Sequence, residues 1–186
     1  MKKYFRLIVV VLFLGILFAL FEWTGLRAHF NLEFIRQLIV EHELGGIIIF
    51  ILLFSLGNLI QIPGWIFLTA AVLALGRTNG GIATYIAAVV SCVITFLTIR
   101  FVGGDMLRQF DNPFMTRILR HLDSRPIGSI VIARTLFQTA PPLNYALAMS
   151  GTRLREYLIG TLLGLPLPIF LYCLFIDYIE LWLKLK

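Results

Sequence analysis

The sequence predicts an all-α, polytopic membrane protein with three full transmembrane helices and two opposed re-entrant helical hairpins arranged as an inverted repeat. Three observations lead to this prediction. Of the 186 residues, 59% are hydrophobic and only 14% are charged, whereas soluble domains average about 45–50% apolar and 25% charged residues. The apolar residues fall into five regions, of which the second is interrupted midway by Ile-Pro-Gly and the fourth by polar residues and prolines. A water-soluble domain is therefore excluded.

The first apolar region, Leu7 to Trp23, follows three basic residues and could be a signal peptide. No small-x-small cleavage pattern follows it, and Tyr4 and Trp23 are typical interface anchors. We therefore expect an uncleaved transmembrane helix. The third and fifth regions, Ile82 to Ile99 and Leu158 to Ile176, each have about the 17 to 25 residues that one crossing needs.

The second region, Gly45 to Leu75, has about 31 residues, which is too long for one ordinary crossing. Pro63-Gly64 leaves a second arm of about a dozen residues, which reaches only ~18 Å at 1.5 Å per residue. A re-entrant hairpin fits this pattern better than two full crossings. The fourth region, Ile127 to Ala148, behaves in the same way, because polar residues and prolines interrupt it: Arg134, Gln138, Pro141, Pro142 and Asn144.

The distribution of basic residues indicates the topology. With the N-terminus inside and each hairpin counted as no net crossing, the cytoplasmic segments hold ten Lys and Arg and the outer segments hold five. This excess agrees with the positive-inside rule.

The sequence also predicts how the chain is divided. The expected parts are a first helix with an outer loop at 1–43, a membrane domain at 44–176 with hairpins 44–76 and 127–149, and a C-terminal tail at 177–186.

The two halves also resemble each other weakly. The segment AVLALGRTNGGIATYIAAVVSCVITFL resembles YALAMSGTRLREYLIGTLLGLPLPIFL, with Gly76 matched to Gly151, and a full span follows each glycine. Inverted repeats whose broken helices meet near the bilayer midplane are typical of transporters, with the substrate site at the repeat interface.

Three separated motifs occur in one order: LIQIPGWIFLTAAVLALG, then TIRFVGGDML, then IARTLFQTAPPLNYALAMSGTRLREYLIGTLLGLPLP. Together they resemble the DedA superfamily, also described as the SNARE-associated Golgi protein or VTT domain, over roughly residues 40 to 176. The resemblance implies two facing re-entrant hairpins and the movement of phosphate-bearing lipids between leaflets. Arg134 matches the intramembrane arginine of the family.

This chain departs from the family pattern at two places. Many bacterial members carry acidic residues around the first hairpin's proline, where this chain has Asn58, Gln61 and Trp65. The family's second arginine is Ala140 here. The usual proton coupling is therefore not expected, and Asn144-Tyr145 resembles a branch other than the one linked to polyprenyl phosphate.

The candidate site combines one cation with four amides. An arginine in the hydrocarbon region must face protein or water, and its planar fork matches phosphate geometry. The alternative is that Arg134 only clamps hairpin carbonyls, and that the amides only satisfy freed backbone groups. The expected lipid-phosphate ligands are Arg134, Gln138, Asn144, Gln61 and Asn58, and the expected hairpin breaks are Pro63, Gly64, Pro141 and Pro142.

These features favour a flippase-like or scramblase-like transporter in the cytoplasmic (inner) membrane that acts without ATP, since no P-loop is present. The expected partner is a membrane phospholipid or a polyprenyl phosphate. No nucleic acid, cofactor or metal is expected, and a homo-oligomer is an open alternative. An ion or small-solute transporter, or an assembly factor without transport activity, is the competing interpretation. An enzyme is not expected, because no nucleophile and base share one hairpin.

Three smaller features of the sequence also carry expectations. Cys92 and Cys173 lie in apolar segments and are expected to be buried thiols and not a disulfide. The stretch from Arg100 to Arg125 mixes basic and apolar residues, which predicts short helices on the inner membrane surface. Gly103-Gly104 is expected to end the third span by adopting a left-handed conformation.

Overall fold

A computed structural model describes residues 2–23, 35–37, 45–109 and 112–184. The predicted outer loop before residue 44 lies almost entirely outside these ranges. The described chain is helical and contains no strand, which confirms the all-α prediction. Its helices are α1 (Lys2–Trp23), α2 (Gly45–Leu59), α3 (Gly64–Gly103), α4 (Pro113–Ser124), α5 (Pro126–Phe137), α6 (Pro141–Met149), α7 (Leu154–Gly164) and α8 (Pro166–Lys184), and a short 3₁₀ helix covers Met106–Gln109.

The first break falls between α2 and α3. Pro63 has no N–H to continue the helical ladder, and Gly64 is the first residue of α3 and not part of the turn. The amide of Ile62 donates to the Gly57 carbonyl at 2.8 Å, so the freed backbone groups are partly satisfied within the turn. Gln61 has a φ of 66°, which is uncommon for a residue other than glycine.

Helix α3 bends sharply at Gly76, whose φ of 79° and ψ of 169° are not helical. After the bend, the helix packs closely against the segment that precedes Gly76. A Cβ at Gly80 would lie only 2.5 Å from the Ala71 carbonyl oxygen. The helix then runs without interruption to Gly103. Gly104 ends it with a φ of 59°, as the sequence predicted.

The second break has the same order of elements. Helix α5 ends where Gln138 adopts a φ of 50°, α6 begins at Pro141, and Gly151 follows with a φ of 82°. The counterparts in the first half are Gln61 and Gly76. The order of arm, turn, arm, glycine and long helix therefore occurs twice in the chain, with Gly76 and Gly151 in corresponding places, as the sequence alignment predicted.

The fifth apolar region bends slightly within its predicted single span. Pro166 removes one backbone donor, so α7 and α8 meet at Leu165. Leu165 keeps helical backbone angles, and the amide of Ile169 donates to its carbonyl at 3.2 Å. The path from Leu154 to Ile176 therefore remains nearly continuous, and α8 extends to Lys184.

Large apolar side chains cover much of the outer surface. The exposed fraction is 93% for Phe101, 69% for Leu136 and 59% for Phe170. A monomeric soluble protein rarely exposes such extensive apolar surface. Within the described part of the chain, two helical stretches are long and apolar enough to cross a membrane, Gly64–Gly103 and Leu154–Ile176.

The segment after α3 is tied to the end of the second hairpin. Arg100 donates to the Thr152 carbonyl and Arg108 to the Ser150 carbonyl, each at 2.7 Å, so the two arginines hold both sides of the Gly151 turn. Arg108 also forms a two-pronged ion pair with Asp123 on α4. Hydrogen bonding to this guanidinium lowers the pKa of Asp123. The predicted short helices of this segment are present, whereas their position on the inner surface stays a prediction.

Candidate functional site: a buried arginine at the second hairpin

Arg134 lies in the last turn of α5, where its side chain is fully buried. Its guanidinium donates to the Tyr157 hydroxyl at 2.6 Å, to the Gln138 carbonyl at 2.9 Å and to the Thr161 hydroxyl at 3.3 Å. All three acceptors are formally neutral. Within the described residues, no carboxylate forms an ion pair with this cation.

Tyr157 connects Arg134 to the middle of α3 and to the second hairpin. Its hydroxyl has one hydrogen, which faces two acceptors, the Cys92 carbonyl at 3.0 Å and the Asn144 side-chain oxygen at 3.2 Å. Its ring lies beneath the Arg134 guanidinium, 5.1 Å from the ring centroid, and packs on Phe96. A neutral tyrosine therefore supplies both a hydrogen-bond acceptor and a π face to the buried cation.

The two hairpins meet through their asparagines. Asn144 donates to the Asn58 side-chain oxygen at 3.1 Å, and Asn58 donates to the Ser91 hydroxyl at 2.9 Å. Tyr145, the neighbour of Asn144, donates to the Leu59 carbonyl at 2.8 Å, which is one of the carbonyls freed at the end of α2. One polar network thus runs from Arg134 through Tyr157 and the two asparagines to Ser91.

The structure brings together three of the five predicted site residues, Arg134, Asn144 and Asn58. Gln138 contributes its backbone carbonyl, and its side chain is half-buried. Gln61 is exposed at the first turn and is not part of the network. Of the predicted break residues, Pro141 is buried at the start of α6, while Pro63 and Pro142 are exposed.

Sequence reasoning missed Tyr157, Thr161 and Ser91. Each is a hydroxyl-bearing residue within an apolar helix, and such residues usually need a partner inside a membrane protein. Their partners lie on other helices, so no local motif indicates which residues pair. Cys92 and Cys173 are buried free thiols, as expected.

Two glycines allow α7 to approach α5 closely. A Cβ at Gly160 would lie 2.6 Å from the Ile130 Cβ, and one at Gly164 would lie 2.6 Å from the Arg134 Cβ and 2.9 Å from the Val131 carbonyl oxygen. Small residues four positions apart allow close backbone approach between membrane helices. This contact positions Tyr157 and Thr161 against the guanidinium.

Gly164→Ala should destabilise the protein by about 1–3 kcal/mol, because the added methyl group meets backbone and a Cβ that cannot move independently. Gly128→Ala is the matched control, because a Cβ there would meet nothing within 4 Å. The measurement is the temperature of half-unfolding in detergent. We expect a lower midpoint for Gly164→Ala and an equal or slightly higher midpoint for Gly128→Ala. Equal midpoints for both variants would contradict the close contact.

A cavity of about 10 Å³ lies where the two hairpins face each other, lined by residues that include Gly64, Thr84, Gln138 and Thr139. Its volume is about the minimum that holds one water molecule. The buried Thr84 hydroxyl has no hydrogen-bond partner among the described residues. Among all the residues that the structure describes, no group of three or more His, Cys, Asp or Glu could hold a metal ion.

A helical protein with extensive exposed apolar surface, two helix breaks next to prolines and a fully buried arginine beside the second break has the features of a membrane protein. The VTT domain family matches residues 62–178 of this chain. The chain therefore belongs to the VTT domain family, the family of the DedA and SNARE-associated Golgi proteins, whose members are membrane proteins. No curated protein and no solved structure matched the chain.

Proposed function

We propose that this protein moves phosphate-bearing lipids between the leaflets of the cytoplasmic membrane without ATP and without catalysing a reaction. The observation that carries the proposal is the fully buried Arg134, which sits beside the second hairpin's break with only neutral acceptors around it. The family is a membrane protein family for which transport is the suggested activity, and this agrees with the proposal.

The electrostatics of Arg134 favour an anionic ligand. Removing a cation from water costs several kcal/mol, and neutral acceptors offset this cost less well than an opposite charge does. A guanidinium has five N–H donors, and three of them are used in the bonds to Tyr157, Gln138 and Thr161. A phosphate that replaced the Gln138 carbonyl would accept two parallel bonds and supply the missing negative charge.

The small cavity between the hairpins marks the place where a headgroup path would open. Gln138 lines this cavity and also binds Arg134 through its carbonyl. Separation of the two hairpin tips would therefore widen the cavity and expose the guanidinium in one movement. Thr84 and Thr139, which also line the cavity, would give the headgroup further polar contacts.

We further propose the predicted membrane arrangement, with three full transmembrane helices and two opposed re-entrant hairpins. At 1.5 Å per residue, α5 with its 12 residues and α6 with its 9 residues reach only about 18 Å and 14 Å. Both lengths are well short of a hydrocarbon core of ~30 Å. The repeated order of elements supports an inverted repeat, and we propose a multi-pass location in the inner membrane.

The opposed hairpins predict labelling from opposite sides. Asn79 and Arg155 are exposed and follow the Gly76 and Gly151 turns. Arg100 contacts Thr152, so the two turns lie near opposite ends of the part of α3 that follows Gly76, roughly 30 Å apart at 1.5 Å per residue. In intact cells, a membrane-impermeant maleimide should label Asn79→Cys, and it should label Arg155→Cys only after the cells are opened. Labelling of both from one side would contradict this arrangement. The native Cys92 and Cys173 are buried and should give little background.

Reconstitution in liposomes tests the function. Purified protein should accelerate the exchange of fluorescent phospholipid and polyprenyl phosphate analogues between leaflets, measured as the fraction of label that dithionite bleaches. The chain has no Asp or Glu from Gly45 to Ile99, and only Glu156 from Ile127 to Ile176. A pH gradient should therefore change the rate little.

The competing interpretations give different results in the same liposomes. Ion flux without lipid exchange would favour an ion or small-solute transporter. The absence of both activities in folded protein would favour an assembly factor. Equal acceleration by the protein, relative to protein-free liposomes, of a lipid with an uncharged sugar headgroup would contradict recognition of the phosphate.

A further inference from the structure

A second and much larger cavity lies between the surface helix α4 and the second hairpin. Its volume is about 560 Å³, within the ~300–1,000 Å³ range of small-molecule sites. Apolar side chains from all three helices line it, among them Met115, Ile118, Leu122, Ala133, Leu143 and Ala146. This cavity is separate from the Arg134 network, because Arg134 points from α5 toward α7.

Two basic residues line this cavity. Arg117 and His121 lie one turn apart on α4, and both are exposed. Residues four positions apart share one face of a helix, so their N–H groups can reach a common ligand. The described residues that line the cavity include no Asp or Glu. An apolar interior with basic donors on its exposed side fits an amphiphile that has a long apolar chain and an anionic head.

The position of α4 identifies the source of this amphiphile. Helix α4 buries Leu119 and Leu122 and exposes Phe114 and Ile118 among its charged residues, a pattern typical of helices that lie in a membrane interface. Arg108 ties α4, through Asp123, to Ser150 at the end of the second hairpin. The cavity therefore lies at the membrane face where that hairpin ends, within reach of the lipids of one leaflet.

We propose that this cavity binds one acyl chain of an anionic phospholipid from the adjacent leaflet, with the lipid phosphate on Arg117 and His121. The bound lipid packs α4 onto the second hairpin. Each buried methylene contributes about 0.8 kcal/mol of transfer free energy, so the chain supplies much of the affinity and the phosphate gives the preference for anionic lipids. This binding does not depend on transport and persists in a protein whose Arg134 is replaced.

Photo-crosslinking tests the proposal. Intact protein in nanodiscs is irradiated with a phosphatidylglycerol that carries a diazirine in one acyl chain, and the modified peptides are identified by mass spectrometry. We expect crosslinks to α4, α5 and α6 at the cavity. The double variant Arg117→Gln/His121→Gln should lower the crosslinking yield about tenfold or more, because two hydrogen bonds to a charged group are lost. Arg125→Gln, which changes the same charge outside the cavity, should leave the yield unchanged.

A second pair of variants addresses the apolar interior. Ala133→Trp places an indole in the cavity, whereas Ile132→Trp places it on the exposed surface of the same helix. The first should abolish the cavity crosslinks, and the second should keep them. The proposal is overturned if a diacylglycerol probe labels the cavity as well as phosphatidylglycerol does, if neither cavity variant lowers the yield, or if the cavity residues crosslink to a second copy of the chain. Since Arg117 and His121 are exposed, the double variant should fold, and its unfolding midpoint checks this.

Discussion

Arg134→Gln is expected to reduce lipid exchange in liposomes to nearly the rate of protein-free vesicles. The substitution removes the cation that we propose as the phosphate ligand. Arg134→Lys keeps the charge but loses the two-pronged geometry, and one lost charge-assisted bond is worth about 1.5–3 kcal/mol, which is roughly a tenfold or greater loss of rate. Exchange rates are measured per folded protein, with folding checked by size-exclusion elution and unfolding midpoint.

Tyr157→Phe separates a ligand role from a clamp role. This variant removes the 2.6 Å acceptor of Arg134 but keeps the cation and the aromatic ring. If Arg134 binds phosphate, Tyr157→Phe should retain most of the exchange activity, because the lipid can replace the lost acceptor. If Arg134 only clamps the fold, both variants should lower the unfolding midpoint and Arg134→Gln should exchange lipid normally once folded. A folded Arg134→Gln protein with the wild-type rate would therefore rule out the phosphate-ligand mechanism.

Asn144→Leu is expected to cause the largest loss of stability among variants of the network. Asn144 donates to Asn58 and to the Thr139 carbonyl, and it accepts from Tyr157. Leucine has a similar size but leaves these buried groups without this partner. Unsatisfied buried groups cost about 1–3 kcal/mol each in water-soluble proteins and less in membranes, where such bonds average about 0.6 kcal/mol. We expect a total loss of about 2 kcal/mol.

The measurement is the unfolding midpoint in detergent, which should fall by about 4–8 °C for a protein of this size. Asn79→Leu is the matched control, because Asn79 is exposed, and its midpoint should stay close to that of the wild type. The double variant Asn58→Leu/Asn144→Leu should lose less than the sum of the single variants, since the two amides bind each other. Additive losses would mean that the contact between the hairpins is energetically unimportant.

The sequence by itself determined the membrane class, the helical content and the places where helices break. These features depend on local chemistry: composition decides the solvent, proline removes backbone donors near Pro63 and Pro141, and glycine permits the positive φ at Gly76 and Gly151. The sequence placed the first hairpin's turn at Pro63 and Gly64. In the structure Gln61 adopts the positive φ, and Gly64 is already the first residue of α3. The family assignment also followed from local motifs and was confirmed.

Only the tertiary structure decided which polar residues meet. Tyr157 reaches Arg134 because Gly160 and Gly164 let α7 lie against α5, and Asn58 reaches Asn144 across 86 residues of chain. A hydroxyl or amide in an apolar helix needs a partner, but its sequence position does not specify the helix that supplies it. Gln61 illustrates the limit: it resembled the other amides in sequence, yet the fold leaves it exposed. The contacts between helices, set by packing over long separations, assemble the candidate site.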